Sequence, residues 1–219
     1  MIHALLLRST DATHVALTTR LETAIGHHPT LASPREHYPA TDTFLASASR
    51  HLASVHAVLI PVVRRRLPDG SHRVHEWAHQ CKLLEVALAA TKAKLYGSVY
   101  AVTRPWAEIW TEVRRELAAT LALERQLVAD LSEHLDDAEH GELVDRLYRA
   151  EQRAPTRPHP YVPHLGIPGR LARGVCRQVD RFWDTTEGRM IPEPVRVHDR
   201  SHQGLMTQFL LGDPHLGEE

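Results

Sequence analysis

Cysteine is scarce in this chain of 219 residues, which contains only two cysteines. Cys81 and Cys176 lie far apart in the sequence and form no CxxC pair. A disulfide framework is therefore not expected, and a reducing, cytoplasmic compartment is the predicted location.

Excess charge of one sign and long apolar runs are also lacking. The chain has 26 basic and 27 acidic residues, a formal net charge of -1, so no overall field attracts nucleic acid or an anionic membrane. The apolar run at residues 4–7 ends at Arg8 and is too short for the apolar core of a secretion signal. No stretch approaches the roughly 20 apolar residues of a membrane-spanning helix. We therefore expect neither nucleic acid nor a membrane as a partner.

Several motifs of well-known enzyme classes are missing as well. The sequence contains no glycine-rich phosphate loop, no GxSxG turn and no recognisable Ser/His/Asp set. Hydrolase and nucleotide-binding functions therefore have no support, and whether the protein is an enzyme stays open.

Helix signals dominate what is present, and alternating β-branched runs are scarce. Thr41 or Asp42 is expected to cap the second helix and Asp136 or Asp137 the fifth. The predicted helices cover about residues 11–25, 41–67, 72–97, 104–135, 137–153 and 170–185. Long helices with moderate linkers favour an all-α, antiparallel four-helix bundle over residues 1–136. Residues 137–219 are expected to add C-terminal helices and an irregular, Pro-rich tail that packs on the bundle.

Histidine is abundant, at 17 residues, and several histidines fall on the predicted apolar stripes. The first helix places His14 in line with Leu17 and Leu21, and the second places His51 in line with Phe44 and Val55. The third and fourth helices supply the remaining ionisable members of these stripes: His75, His79 and Glu124.

Burying an ionisable side chain is costly unless another group compensates it. Groups of this kind from several helices can share that cost by meeting around a metal ion, and imidazole suits iron, zinc, copper and nickel. His75 and His79 are one helical turn apart and can reach one ion together. The simpler alternative is that each histidine is hydrogen-bonded separately within the core.

At these positions the chain resembles the hemerythrin and HHE cation-binding families. The resemblance covers about residues 8–136, with further similarity to hemerythrin-domain proteins of actinobacterial type in the stretches PTRPHPYVPHLG and DRFWDTTEGR. Residues that match the family pattern are His51, His56, Leu59 and Pro61 on the second helix, His75 and His79 on the third, and Glu124 and Leu127 on the fourth.

The departures from the family pattern concern its metal ligands. Val55 stands where the family has a carboxylate, and Thr120 stands where it has a histidine. Glu124 is then the one clear carboxylate, with Glu116 as an unorthodox helper. The resemblance implies a metal held by His14, His51, His75, His79 and Glu124, with His56 as a neighbouring or replacement ligand.

Two functions follow as alternatives. The resemblance implies non-haem iron, as one or two ions, and the sensing or handling of oxygen, nitric oxide or peroxide. The other hypothesis is a metal-free helical module for interaction or regulation. In that case the C-terminal segment would contact a protein partner or a second copy of the chain. His159 and His164 are expected to lie in an extended segment that packs over the bundle.

Overall fold

The computed structural model describes residues 5–27, 33, 35–97, 103–154, 156 and 192–196. Within these ranges the chain is all-helical, as predicted, and contains no strand. Five helices follow one another along the chain: α1 (Leu5–Gly26), α2 (Tyr38–Arg66), α3 (Gly70–Leu95), α4 (Trp106–Ser132) and α5 (Asp137–Arg153). The predicted sixth helix, most of the Pro/His-rich segment 155–168 and most of the tail lie outside the described residues.

The helices pack around one shared apolar core. α1 packs against α2 and α4, α3 packs against the same two helices, and α5 packs against α2 and α1. Buried apolar side chains of all five helices belong to a single cluster. The predicted C-terminal extension thus begins, at 137, with a helix that shares this core. In the described part of the chain, no helix is both long enough and apolar enough to cross a bilayer.

The helix ends show where local sequence signals were sufficient. Asp136 caps α5 as predicted: its side chain accepts a hydrogen bond from the Glu139 backbone N–H, and the Glu139 carboxylate accepts one from the Asp136 backbone N–H. This reciprocal capping box satisfies two backbone donors that the helix itself leaves unpaired.

The predicted caps of α2 are wrong. α2 begins at Tyr38, with Pro39 in its first turn, and His37 occupies the cap position without a side-chain hydrogen bond. A proline suits the first turn because its missing N–H would be unpaired there anyway. Thr41 therefore lies inside the helix and is buried. α1 likewise begins at Leu5, six residues before the predicted start at residue 11.

The turn between α2 and α3 brings two backbones unusually close. Asp69 adopts a left-handed conformation with φ of 52°, and Gly70 then opens α3 directly beside the end of α2. A Cβ on Gly70 would lie 2.6 Å from the Val63 carbonyl oxygen and 2.9 Å from the Arg64 Cα. Only glycine fits this approach without moving backbone.

Replacement of Gly70 by alanine should therefore destabilise the protein by about 1–3 kcal/mol, the usual cost of overpacking. Gly141→Ala is the matched control, because a Cβ there meets nothing within 4 Å, and alanine is favoured over glycine inside a helix by about 1 kcal/mol. Urea unfolding followed by circular dichroism measures both changes. Equal stability of the two variants would contradict the close approach at Gly70.

Candidate metal centre

Three helices each bring one ionisable side chain to the same place in the core. His14 of α1, His51 of α2 and Glu124 of α4 are all buried, and Glu124 is only 2% exposed. The predicted inward stripes of α1, α2 and α4 place these residues correctly, because the side chains at one-turn spacing before and after them are also buried.

The Glu124 carboxylate lies between the two imidazole rings. His51 Nε2 is 2.9 Å from Glu124 Oε2 and donates a hydrogen bond to it. His14 Nε2 is 3.3 Å from the other oxygen, Glu124 Oε1, yet it makes no hydrogen bond. One ligand atom from each residue lies within 4.8 Å of the other two. Two nitrogens and a carboxylate oxygen thus converge in the interior.

The second ring nitrogen of His51 is also engaged. His51 Nδ1 donates to Glu151 Oε1 of α5 at 2.8 Å, and Ser54 Oγ lies 3.5 Å from the same oxygen. Sequence reasoning missed Glu151. The spacing of residues along α5 could have indicated it. Glu151 follows the buried His140 and Val144 and the half-buried Leu147 at one-turn intervals, on the face of α5 that points inward.

The interactions at this site favour the charged forms of His51 and Glu124, although both side chains are buried. Burial alone would lower the pKa of His51, but the charge of Glu124 and the hydrogen bonds to Glu124 and Glu151 outweigh it and raise that pKa to about 10. Burial alone would raise the pKa of Glu124, but the charge of His51 and the contacts with His14 and His51 lower it to about 2. The metal-free site is thus an imidazolium between two carboxylates.

The donor set and its spacing fit a single metal ion. Two ligands bound at 2.0–2.2 Å to one ion in tetrahedral or octahedral geometry lie about 3.0–3.5 Å apart. The two nitrogen-to-oxygen distances, 2.9 and 3.3 Å, are of that size. His14 Nε2 in particular is buried, lacks a hydrogen bond and lies beside the carboxylate, which suits a nitrogen that binds a cation.

Three predicted ligands do not lie in this group. His75 and His79 are exposed, because α3 turns a different face inward: its buried line is Val74, Trp77, Cys81, Leu84 and Leu88. The predicted inward face of α3 is therefore wrong: Leu83 and Val86, one and two turns after His79 on the same face, are 40% and 45% exposed. His56 is half-buried and packs its ring 6.0 Å from that of Trp77.

The positions that depart from the family pattern have other roles. Val55 is buried in the core, and the Thr120 hydroxyl donates to the Glu116 carbonyl within α4. The Glu116 carboxylate accepts from Gln80 Nε2 at 2.7 Å and from the Arg115 guanidinium. Glu116 is thus engaged away from the group of three. His159 and His164 lie outside the described residues.

A polar pocket reaches His51 from the side of α5. It is lined by Thr13 and Arg20 of α1, Arg50 and His51 of α2, Glu151 of α5, and residues 192–195. Neither His14 nor Glu124 lines it, so the three converging ligand atoms lie behind the His51 ring as seen from this pocket.

The stability of the metal-free protein should depend on pH through this site. The raised pKa of His51 stabilises the fold fully below about pH 6.5, the unfolded value, and this contribution is lost as the pH rises towards 10. The lowered pKa of Glu124 stabilises the fold above about pH 4.5 and is lost as the pH falls towards 2.

We therefore expect the unfolding free energy in the presence of a chelator to be largest near pH 5–6 and to fall by about 1–3 kcal/mol by pH 8.5. Urea unfolding at a series of pH values measures this. His51→Gln should flatten the alkaline slope, whereas His75→Gln, at an exposed site, should leave it unchanged. An alkaline slope equally steep in His51→Gln would contradict the assignment to His51.

Comparisons with known proteins were made at the levels of family, sequence and structure. No family model matches the chain, no curated protein matches it, and no solved structure matches it.

Proposed function

We propose that this chain is a hemerythrin-like helical protein that binds one non-haem metal ion, ferrous iron, at His14, His51 and Glu124. The observation that carries the proposal is the convergence of two imidazole nitrogens and one carboxylate oxygen, from three helices, within 4.8 Å in the core. The ion pairs of the cluster offset its burial in part, and a bound cation would be a further partner for these donors. The packing of α1 and α3 each against both α2 and α4 supports a four-helix bundle around it.

The number and type of donors support the choice of iron. Two histidines and one carboxylate that leave other positions open are the ligand set of non-haem ferrous oxygenases. Structural zinc sites have four protein ligands, whereas a catalytic zinc can be held by the same two histidines and one carboxylate. The buried thiol of Cys81 is a free cysteine, and burial raises its pKa well above the ordinary value, so it is a poor ligand. A free thiol also suits the proposed cytoplasmic location.

One ion suits the site better than two. A second cation would need a further carboxylate to offset its charge and to bridge the pair. In the described part of the chain, Glu124 is the one carboxylate in the converging group, and the Glu116 carboxylate is held by Gln80 and Arg115. We therefore propose a mononuclear site.

The surroundings restrict what can reach the ion. Leu17, one turn after His14, and Val55, one turn after His51, are both 1% exposed, so apolar walls exclude bulky and highly charged molecules. A bound ferrous ion would supply redox chemistry and open coordination positions. We propose that the molecule handled or sensed there is oxygen, nitric oxide or peroxide.

One observation favours the alternative of a metal-free interaction or regulatory module. Both ring nitrogens of His51 already donate to carboxylates, Nε2 to Glu124 and Nδ1 to Glu151. This ionic chain compensates its own burial in part, so a metal is not needed to keep His51 inside. The two functions differ in whether an added cation is bound at all.

Anaerobic titration calorimetry with ferrous iron or cobalt(II) should give about one ion per chain. His14→Ala should lower the affinity more than 100-fold, beyond the about 10–100-fold that the loss of an outer hydrogen-bond partner costs. His79→Ala is the matched control: it removes an exposed histidine and should leave the affinity unchanged.

Two other results would decide against the mononuclear site. Absence of binding by the untagged wild-type chain, even after anaerobic reconstitution, would leave the metal-free module as the function. Binding that disappears in His79→Ala and persists in His14→Ala would place the metal on the surface of α3. Circular dichroism of each variant checks that its helices are intact.

A further inference from the structure

We infer that Glu151 of α5 is a positioning residue of the proposed metal site: it holds the His51 ring so that Nε2 is the nitrogen offered to a cation beside Glu124 and His14. This inference rests on the proposed function. It gives the fifth helix a role in the site, although the sequence predicted this helix only as part of a C-terminal extension that packs on the bundle.

The partners of the two His51 ring nitrogens determine which nitrogen faces the proposed cation. An imidazole has two nitrogens, and the one that keeps its proton determines which one is free to bind a metal. Glu151 Oε1 lies 2.8 Å from His51 Nδ1 and, as a carboxylate, can only accept. A proton is therefore kept on Nδ1, and Nε2, which faces Glu124 at 2.9 Å, is the nitrogen that can lose its proton to solvent and bind a metal through the freed lone pair. Histidines that bind metals commonly donate their other N–H to a carboxylate in this way.

Glu151 is itself held in place by Arg50. Arg50, the residue before His51, donates from Nε to the Glu151 backbone carbonyl at 2.7 Å. Adjacent residues of α2 thus bind the backbone and the side chain of the same residue. The carbonyl lies in the last turn of α5, where it also accepts from the Ala154 backbone N–H and where a cation is favoured. Arg50 Nη1 also donates to the Pro192 carbonyl at 3.0 Å.

Burial of both side chains helps to hold the hydrogen bond between His51 and Glu151. The Glu151 side chain is only 12% exposed and that of His51 is 6% exposed, so most of the surface of this pair is removed from bulk solvent. Ser54 Oγ donates to the His51 carbonyl at 2.7 Å and lies 3.5 Å from the same Glu151 oxygen. The orientation of the His51 ring is therefore fixed from the side opposite the proposed cation.

The test compares cobalt(II) affinities of Glu151→Leu, Glu151→Gln and the control Glu142→Gln, which changes an exposed carboxylate of the same helix. Leucine removes the acceptor and should weaken binding about 100-fold, the upper end for an outer carboxylate partner. Glutamine keeps a neutral acceptor, which makes a weaker hydrogen bond than a carboxylate, and should weaken binding about 10-fold. The control should bind like the wild type.

Nuclear magnetic resonance of ¹⁵N-histidine-labelled, zinc-loaded protein gives a readout that a merely structural role would not change. Wild type and Glu142→Gln should show a slowly exchanging Nδ1 proton on His51, and Glu151→Leu should lose it. If Glu151→Leu fails to fold, Glu151→Gln decides: wild-type affinity in that variant would overturn the inference while leaving the metal site intact. Absence of metal binding by the wild type would overturn both the proposed function and the inference.

Discussion

The burial of the Glu124 carboxylate is the constraint on which the rest of this structure depends. An ionised carboxylate that is 2% exposed costs several kcal/mol unless it is compensated. The compensation comes from His51 on α2 and His14 on α1, so it exists only when three helices pack in one register. A slip of any of these helices by one residue would turn its ionisable side chain by about 100° and break at least one of the two histidine contacts of Glu124. The polar group therefore fixes a packing that apolar contacts alone would define less sharply.

The polar groups form a chain that crosses four of the five helices. From α1 to α5 the order is His14, Glu124, His51 and Glu151, with bases and acids alternating. α3 stands apart from this chain and supplies mainly apolar packing, with Trp77 fully inside the core. The arrangement separates two tasks. Apolar burial across all the helices supplies most of the stability, and the alternating chain selects which faces of α1, α2, α4 and α5 meet.

Local pattern was enough to predict most of the helices, the α5 cap at Asp136 and the inward positions of His14, His51 and Glu124. It failed for α3, because apolar residues occur on two faces of that helix. Leu83 and Val86 are exposed while Leu84 and Leu88 are buried, so periodicity alone did not determine the inner face. The placement of His75 and His79 failed with it. The partnership of His51 with Glu151 spans 100 positions in the chain and depends on how α5 packs, which no local spacing encodes.

The charges of this chain bear directly on which ion it can hold. In the metal-free state, with His14 counted as neutral, two carboxylates face one imidazolium, so the four side chains carry a net charge of -1. Exchange of the Nε2 proton of His51 for a divalent cation leaves His51 neutral and brings the sum to zero. A second divalent ion would bring it to +2 in an interior that tolerates little uncompensated charge. Glu151 thus has an electrostatic effect as well as an orienting one: its negative charge offsets part of the charge that a divalent ion would add to these four side chains. Over these four side chains the charge balance supports the proposal of one divalent ion, and Glu151 of α5 contributes to that balance.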